Sequence, residues 1–522
     1  MRQTVAHLVR AAGDRYGDAE AVVDGETVLS FRRLADEVLE FARAAGAHGI
    51  VPGDRVGIWA PNSARWLVAS LGAVTAGATV VPINTRYRGG EAADLLRRSR
   101  AVAVFADDGF LGYDYLGALA RAAEEEPLPD LRLTVDLGPG SASWDDFVSG
   151  ADALTEDYAL ATMDSIRPND HSHIIFTSGT TGTPKGVLLN HRALVRLYAA
   201  YSGIWGIREG DRYLVPLPFF HTGGQSAVLS CLTRGATILP LAVFDPGKVL
   251  ELVDRLKVSV LIGAPTIFAS LLDHPDRDAY DLSSLRLAAT GAAVVPVRLV
   301  ERCRAELPFE RFITAYGLTE CHGTATMCRE DDDAATVATT NGSALPSVEV
   351  RIVGPDGSDL PTGEPGEVWV RGYNVTEGYL DDPASTAQAV DPDGWLHTGD
   401  IGTLDIRGNL AITDRLKDMF IVGGFNVSPA EVEQVLTRHP AVSEAAVIGV
   451  PDGRLGEVGQ AYLIPKPGAA VPDPAEIDAW CRERMANFKV PRSFVVVDAL
   501  PRNATGKVQK TELREAAGRG GG

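Results

Sequence analysis

The chain has 522 residues, 45% hydrophobic and 23% charged, with a formal net charge of −20. At about 150 residues per domain this makes roughly three to four ordinary units, with ample core and no need of disulfides or structural metal. The composition excludes a largely disordered chain, and the negative excess repels phosphate backbones and anionic lipid, so neither nucleic acid nor a membrane surface is an expected partner.

The N-terminal stretch sets Arg2, His7 and Arg10 among short apolar pieces, unlike a signal peptide or anchor. Residues 28–110 alternate helical spacing with short β-branched runs: helix over 32–47, buried strand over 55–59, helix over 63–76, strand over 79–83. The apolar run 68–81 carries glycines and falls short of the roughly 20 residues a membrane span needs. The same beat returns with a helix over 249–257 and a strand over 258–262, then 297–307 and 311–315. Strands alternating with helices in this way predict βαβ units and parallel sheets.

From residue 348 the texture changes to short strands (348–353, 367–371) and the turns Pro355-Asp356-Gly357 and Gly363-Glu364-Pro365-Gly366, which predict an antiparallel, barrel-like subdomain. After a strand at 410–415 the final segment opens on Ser428-Pro429-Ala430-Glu431: Ser428 as helix cap, Pro429 at the first position, Glu431 closing a capping box. A helix to about 438, a strand at 445–450 and a helix at 476–487 predict a small α+β domain, with its boundary at 414–418. The end, Gly518-Arg519-Gly520-Gly521-Gly522, reads as a flexible tail without a peroxisomal Ser-Lys-Leu address. Cys231, Cys303, Cys321, Cys328 and Cys481 form no C-x-x-C pair and no zinc-type cluster with histidine, and read as free thiols in a reducing compartment. The expected location is cytoplasmic, without stable membrane insertion.

The most informative stretch is Thr177-Ser178-Gly179-Thr180-Thr181-Gly182-Thr183-Pro184-Lys185-Gly186, between apolar strands at 173–176 and 187–189. Small residues let backbone N–H groups and hydroxyls converge on phosphate oxygens, and Lys185 adds positive charge. It is no Walker loop, since it lacks G-x-x-x-x-G-K-[ST] and joins two strands. Standing alone it reads more readily as a flexible, hydroxyl-rich hairpin. Further on, Tyr316-Gly317-Leu318-Thr319-Glu320 follows a strand and combines a ring, a hydroxyl and a carboxylate. Trp395-Leu396-His397-Thr398-Gly399-Asp400 ends in a carboxylate suited to both hydroxyls of a ribose, and Asp414-Arg415-Leu416-Lys417-Asp418 precedes Gly423-Gly424-Phe425-Asn426. Pro501-Arg502-Asn503-Ala504-Thr505-Gly506-Lys507 presents a lysine on a loop. Each is weak alone; their ordered succession is not.

With these motifs the whole chain resembles the adenylate-forming superfamily of acyl-CoA synthetases, peptide-synthetase adenylation domains and luciferases. Residues 314–320, Thr326-Met327-Cys328-Arg329 and 414–433 bring it closest to actinobacterial CoA ligases for fatty acids or propanoate side chains of steroid-ring fragments. The resemblance implies an α/β fold: a large N-terminal domain (1–413) of two α/β sheets plus a β-barrel subdomain, a hinge (414–418), a small mobile α+β C-terminal domain (419–515) and a tail (516–522). It also implies that a carboxylate attacks the α-phosphate of ATP to give an acyl-adenylate and pyrophosphate, and that the thiol of CoA then takes the acyl group. A homodimer is among the assemblies it allows.

Carried over by motif, Thr177, Ser178, Gly179, Thr180, Thr181, Gly182 and Lys185 match the phosphate loop, Tyr316 the ring on adenine, and Gly291, Ala292 and Ala293 the backbone beside it. Thr319 matches the α-phosphate contact, Glu320 the Mg2+ ligand, and Asp400 and Arg415 the ribose contacts. Lys507 matches the lysine bridging carboxylate and α-phosphate, Lys417 the pivot of the small domain, and Gly423 and Gly424 the strand that approaches the thiol tunnel, where glycine admits a pantetheine arm. His221 matches a gate beside the acyl pocket; a histidine after Phe219-Phe220 reads equally as packing. Cys321 and His322 are expected to line that pocket.

Rival readings follow from the same residues. An amino-acid adenylation domain usually holds the substrate ammonium with an aspartate after the 219–222 region, and Gly223-Gly224-Gln225-Ser226 offers no carboxylate. Adenylation of another acid, nitrite included, or transfer to a carrier protein without CoA stays open, because Gly223-Gly224-Gln225 departs from the bulkier pattern of the steroid-fragment ligases. A non-enzymatic nucleotide binder is disfavoured by the presence of Lys507, Glu320 and Asp400.

Overall fold

A parallel strand must be covered on both faces, and its crossover helices supply the cover; the alternation of the first 350 residues therefore closes into layered sheets. This computed structural model describes residues 3–177, 183–290, 297–415, 420–466, 473–501, 508 and 510–519. The chain divides into two compact units, one of residues 1–85, 93–175 and 186–413, the other of 86–92, 176–185 and 414–522.

The first unit holds a six-stranded sheet in the order Leu133–Asp136, Ala101–Ala106, Arg55–Trp59, Thr79–Pro82, His171–Thr177, Lys185–Asn190, parallel from the first strand through the fifth. A nine-stranded sheet runs Ser343–Ala344, Thr326–Met327, Arg311–Tyr316, Leu287–Thr290, Val260–Gly263, Arg212–Val215, Thr237–Pro240, Glu20–Asp24, Thr27–Ser30. Its interior is parallel, and antiparallel strands finish both edges. The strands expected after residue 348 form a four-stranded barrel-like sheet, Val348–Val353, Gly366–Gly372, Leu396–Leu404, Leu410–Arg415.

Capping and packing explain why the helices begin and lie where they do. Helix Phe31–Ala47 starts at Ser30, whose hydroxyl accepts from the Arg33 N–H, and buries Phe31, Leu34, Val38, Phe41, Ala42, Ala44 and Ala45 along one face. Phe41 meets Phe105 and Phe147 at ring separations of 5.1 and 4.9 Å, and its burial contributes about 1.5–3 kcal/mol. Helix Ala64–Thr75 can come this close only because Gly72 has no Cβ; one there would sit 2.5 Å from the Phe41 ring.

The second unit carries a sheet of Phe425–Val427, Phe420–Val422, Gly456–Pro465 and Val442–Asp452, with Ser493–Val496 paired to Gly456–Pro465. Ser428 caps helix Pro429–Thr437 as predicted. Glu431, expected to complete a capping box, puts Oε1 2.6 Å from Lys489 Nζ, which also donates to Glu91 at 2.9 Å. Lys489 is 2% exposed and lies 4.1 Å from the centre of the Tyr87 ring. Burial alone lowers its pKa, but Glu91, Tyr87 and Glu431 outweigh that and hold it well above the ordinary value, so the ammonium persists. The helix expected at 476–487 is Pro474–Arg484, because Asp473 caps it and Met485 turns extended, and a final helix, Lys510–Arg519, runs into the stretch read from the sequence as a tail. Among the described residues no helix is long and apolar enough to cross a membrane.

One buried ion pair braces the nine-stranded sheet. Asp211 and Arg286, with side chains 4% and 9% exposed, pair at 2.5 Å, and Asp211 also accepts from Ser259 Oγ at 2.8 Å and the Arg208 N–H at 2.9 Å. Asp211→Ala would leave the Arg286 guanidinium buried without its partner and should cost about 3–5 kcal/mol. Urea denaturation measures it: the midpoint should fall sharply for Asp211→Ala and recover in large part when Arg286→Met is added. An unchanged midpoint in the single variant would mean that the pair braces nothing.

Candidate active site

In an open α/β sheet the carboxyl ends of parallel strands present side chains to a common crevice. Strands Leu287–Thr290 and Arg311–Tyr316 are parallel neighbours, with Thr290 opposite Thr314, so Thr290 and Tyr316 leave the sheet at the same end. Beyond Tyr316 the chain turns at Gly317, where a Cβ would lie 2.3 Å from the Gly323 carbonyl oxygen, and enters the short 3-10 turn Thr319–Cys321. Thr319 is buried and Glu320 half-buried on that turn.

Asp400 reaches the same place from the barrel-like sheet. The pairing of Gly366–Gly372 with Leu396–Leu404 slips between Glu367 and Trp369, leaving 398–400 as a bulge, and Gly399 takes φ +70° within it. A bulge re-aims side chains, and here it turns Asp400 so that Oδ2 accepts from the Tyr316 hydroxyl at 2.7 Å. Burial first, then the Asp400 charge, holds the Tyr316 phenol well above its ordinary pKa, so it remains a donor.

Glu320 is held by a second tyrosine. Tyr379 donates its hydroxyl to Glu320 Oε1 at 2.9 Å, and burial followed by the Glu320 charge raises the Tyr379 pKa. The Glu320 carbonyl accepts from the Thr376 N–H at 2.7 Å. No spacing in the sequence links Tyr379 to Glu320; the signal available was only its place after Gly378, which takes φ +141° with Thr386 2.5 Å from where a Cβ would be.

Other predicted residues take positions of their own. Thr177 ends strand His171–Thr177 and its hydroxyl reaches the carbonyl of Lys185, which begins the next strand. His221 caps helix Thr222–Arg234, accepting from the Gly223 N–H at 3.3 Å. It keeps an exposed surface, and desolvation by the surrounding protein lowers its pKa. Gly423 and Gly424 form the turn between strands Phe420–Val422 and Phe425–Val427, with φ +55° and +87°. Two successive positive φ values demand glycine in a tight hairpin, so turn geometry by itself already calls for glycine at both positions. Ser178, Gly179, Thr180, Thr181, Gly182, Gly291, Ala292, Ala293, Lys417 and Lys507 lie outside the described residues, as does the side chain of Arg415.

Cys321 and His322 do not line a pocket. Both are 0% exposed; burial pushes the Cys321 thiol up to about 12 and the His322 imidazole down to about 4. Among the described residues no group of three or more His, Cys, Asp or Glu side chains could enclose a metal ion.

Comparison with known proteins matches residues 9–380 to the AMP-binding enzyme family and residues 431–507 to the AMP-binding enzyme C-terminal domain. The chain is 51% identical over 518 residues, 98% of each protein, to the 3-[(3aS,4S,7aS)-7a-methyl-1,5-dioxo-octahydro-1H-inden-4-yl]propanoyl:CoA ligase of Rhodococcus jostii. It is also 51% identical over 502 residues to the ligase of the same name from Mycobacterium tuberculosis, covering 95% of this chain and 96% of the other. Among solved structures, the amide bond synthetase McbA of Marinactinospora thermotolerans aligns with a TM-score of 0.85 at 31% identity, over 98% of this chain and 99% of that one.

The site is flanked by buried imidazoles, and these set a pH dependence of stability. Burial pushes His173 down to about 3 and His191 to about 4, against about 6.5 in an unfolded chain. The unfolded state therefore binds the extra protons, so stability is full above about pH 6.5 and falls on acidification towards pH 4, by about 1.4 kcal/mol per pH unit for each imidazole. Urea midpoints measured between pH 7 and pH 5 should decline; a midpoint that rises on acidification would contradict the burial of these rings as neutral bases.

Proposed function

Since the chain belongs to the AMP-binding enzyme family, we propose that it activates a bulky propanoate-type carboxylic acid, with Tyr316, Thr319, Glu320, Asp400 and Lys507 carrying the adenylation half of the reaction. The chain is an AMP-forming acid–CoA ligase. A carboxylate oxygen bonds to the α-phosphorus of ATP as the bond to the pyrophosphate oxygen breaks. The CoA sulfur, having lost its proton, then bonds to the acyl carbon as the bond to AMP breaks. What carries this reading is the 51% identity to CoA ligases along 98% of both chains. The 31% likeness to an amide bond synthetase is weaker, and no residue described above favours an amine acceptor. A cytoplasmic location, where ATP and CoA are at hand, belongs to the same reading.

The chemistry sets what the residues must do. Two anions, the carboxylate and the α-phosphate, have to meet, and pre-organised cations and donors aimed at the developing charge make that possible. Lys507 is assigned the bridge between them, and Lys185 with the hydroxyl loop 177–182 the outer phosphates. Asp400, steadied by Tyr316, is assigned the ribose together with Arg415, and Tyr316 the adenine face beside Gly291, Ala292 and Ala293. Lys417 is assigned the pivot of the C-terminal domain between the half-reactions.

A magnesium ion fits the residues present. Mg2+ is usually bound through one or two carboxylates plus substrate phosphates and water rather than in an all-protein cage. A single oriented carboxylate, Glu320, with no larger acidic cluster among the described residues, suits that mode. When bound, the ion neutralises phosphate charge in the transition state.

Substrate class follows from the relatives' named substrate, a fused-ring diketone on a propanoate arm, and from the segment after His221. Gly224 is compelled by backbone packing, since a Cβ there would meet the Pro218 carbonyl oxygen at 2.2 Å. This departure from a bulkier pattern is therefore a local packing solution and is compatible with the same substrate class.

A pyrophosphate-release screen over fused-ring propanoates, linear acids and aryl acids, each with and without CoA, tests the reading. The fused-ring propanoates should lead, and CoA should appear in the product; release that ignores CoA would favour an adenylate-only reaction. Lys507→Ala should lower adenylate formation by about 10²–10³ while thioester formation from a pre-made acyl-adenylate largely survives. Adenylation at the parent rate would remove Lys507 from its role. Glu320→Gln keeps the shape and loses the charge, so the magnesium requirement of ATP–pyrophosphate exchange should rise.

A further inference from the structure

Glu320 stands on a single 3-10 turn, Thr319–Cys321, a unit too short to hold a side chain in place by itself. The residue that follows the turn is tied down on every side. His322 has no exposed surface and takes φ +57°, a left-handed conformation uncommon outside glycine. Its Nδ1 lies 2.7 Å from the Asn374 carbonyl oxygen, which can only accept, so Nδ1 carries the hydrogen. Its Nε2 lies 3.1 Å from the backbone nitrogen of Asn190, which can only donate, so Nε2 is bare. One neutral tautomer satisfies both partners. The His322 carbonyl in turn accepts from the Tyr198 hydroxyl at 2.7 Å.

These bonds close a ring through the site. From Asn374 the chain reaches Thr376, whose N–H holds the Glu320 carbonyl, and then Tyr379, whose hydroxyl holds the Glu320 carboxylate. Asn190 ends the strand that begins at Lys185. The imidazole is thus the tie between the run that grips Glu320, the strand after the phosphate loop, and the turn that bears Glu320.

We infer that His322 is a positioning residue for Glu320: its two ring nitrogens lock the Thr319–Cys321 turn to Asn374 and Asn190 and so aim the carboxylate at nucleotide-bound magnesium. The inference rests on the assignment of Glu320 in the preceding section. Outer partners of this kind change metal affinity or activity by about 10–100-fold when lost.

The test uses the full-length protein. His322→Leu fills similar space without donor or acceptor, and His322→Gln restores one of each at comparable spacing. ATP binding is followed by calorimetry with and without magnesium, alongside ATP–pyrophosphate exchange and thioester formation from a pre-made acyl-adenylate. His322→Leu should lose about 10–100-fold of the magnesium-dependent part of ATP affinity and of exchange, keep the thioester step, and be repaired in large part by glutamine. Magnesium-dependent binding at the parent level in His322→Leu, or equal loss of both half-reactions that glutamine does not repair, overturns the inference. Should His322→Leu fail to fold, the ring 15N spectrum of the parent protein still decides: a protonated Nδ1 beside a bare Nε2 supports the tie, and any other state overturns it. Glu320→Gln run in parallel separates the two levels. If it leaves magnesium-dependent binding intact, the Glu320 assignment fails; if it acts while His322→Leu does not, only the role of His322 fails.

Discussion

The hydrogen bond between Tyr316 and Asp400 joins two sheets that the chain builds 84 residues apart. The ring leaves the end of a parallel strand in the nine-stranded sheet; the carboxylate comes from a bulge in the barrel-like sheet. Neither element has a way to place its side chain alone. A carboxylate facing a buried, protonated phenol gains a charge-assisted bond stronger than an ordinary one, and breaking it would leave a buried polar group without its mate. Through this bond the strand that ends at Tyr316 and the bulge that bears Asp400 are held together in the first unit.

A second pair repeats the device. Tyr379 bonds Glu320 much as Tyr316 bonds Asp400, again with the phenol held protonated by burial and by the carboxylate it faces. The repetition answers an electrostatic difficulty. The reaction brings a carboxylate to a triphosphate, and bare carboxylates nearby would oppose it. Donors that disperse part of that charge and fix its direction would let the side chains proposed for ribose and magnesium act with less opposition to the phosphates.

Much of this was legible in the sequence. The strands at 55–59 and 348–353 keep their predicted limits, because β-branched runs bounded by turn residues leave little choice of register. Parallel sheets followed from the alternation of strands and helices, and Tyr316, Glu320 and Asp400 were each named from local motifs. What the sequence did not disclose is lateral. Tyr379 bonds Glu320 across a separation that no period encodes, and His322 beside Glu320 looked like a pocket wall until its burial was known. Gly423 and Gly424 were read as room for a ligand, whereas their positive φ values make them turn residues first. Side chains that act through the sheet order cannot be read before that order is known.

The buried imidazoles complete the logic. His173, His191 and His322 are all held neutral by burial, and they use their nitrogens on local partners: His173 on Ser172, His191 on the Val5 N–H, His322 on Asn190 and Asn374. A neutral imidazole is a rigid connector with one donor and one acceptor a fixed distance apart. Lysine or arginine here would add unneeded charge behind the site, and a purely apolar side chain could not satisfy the backbone groups that the site's turns leave open. At His322 histidine suits the framework for the reason that makes it a poor general base: its lone pair and its proton are both already engaged.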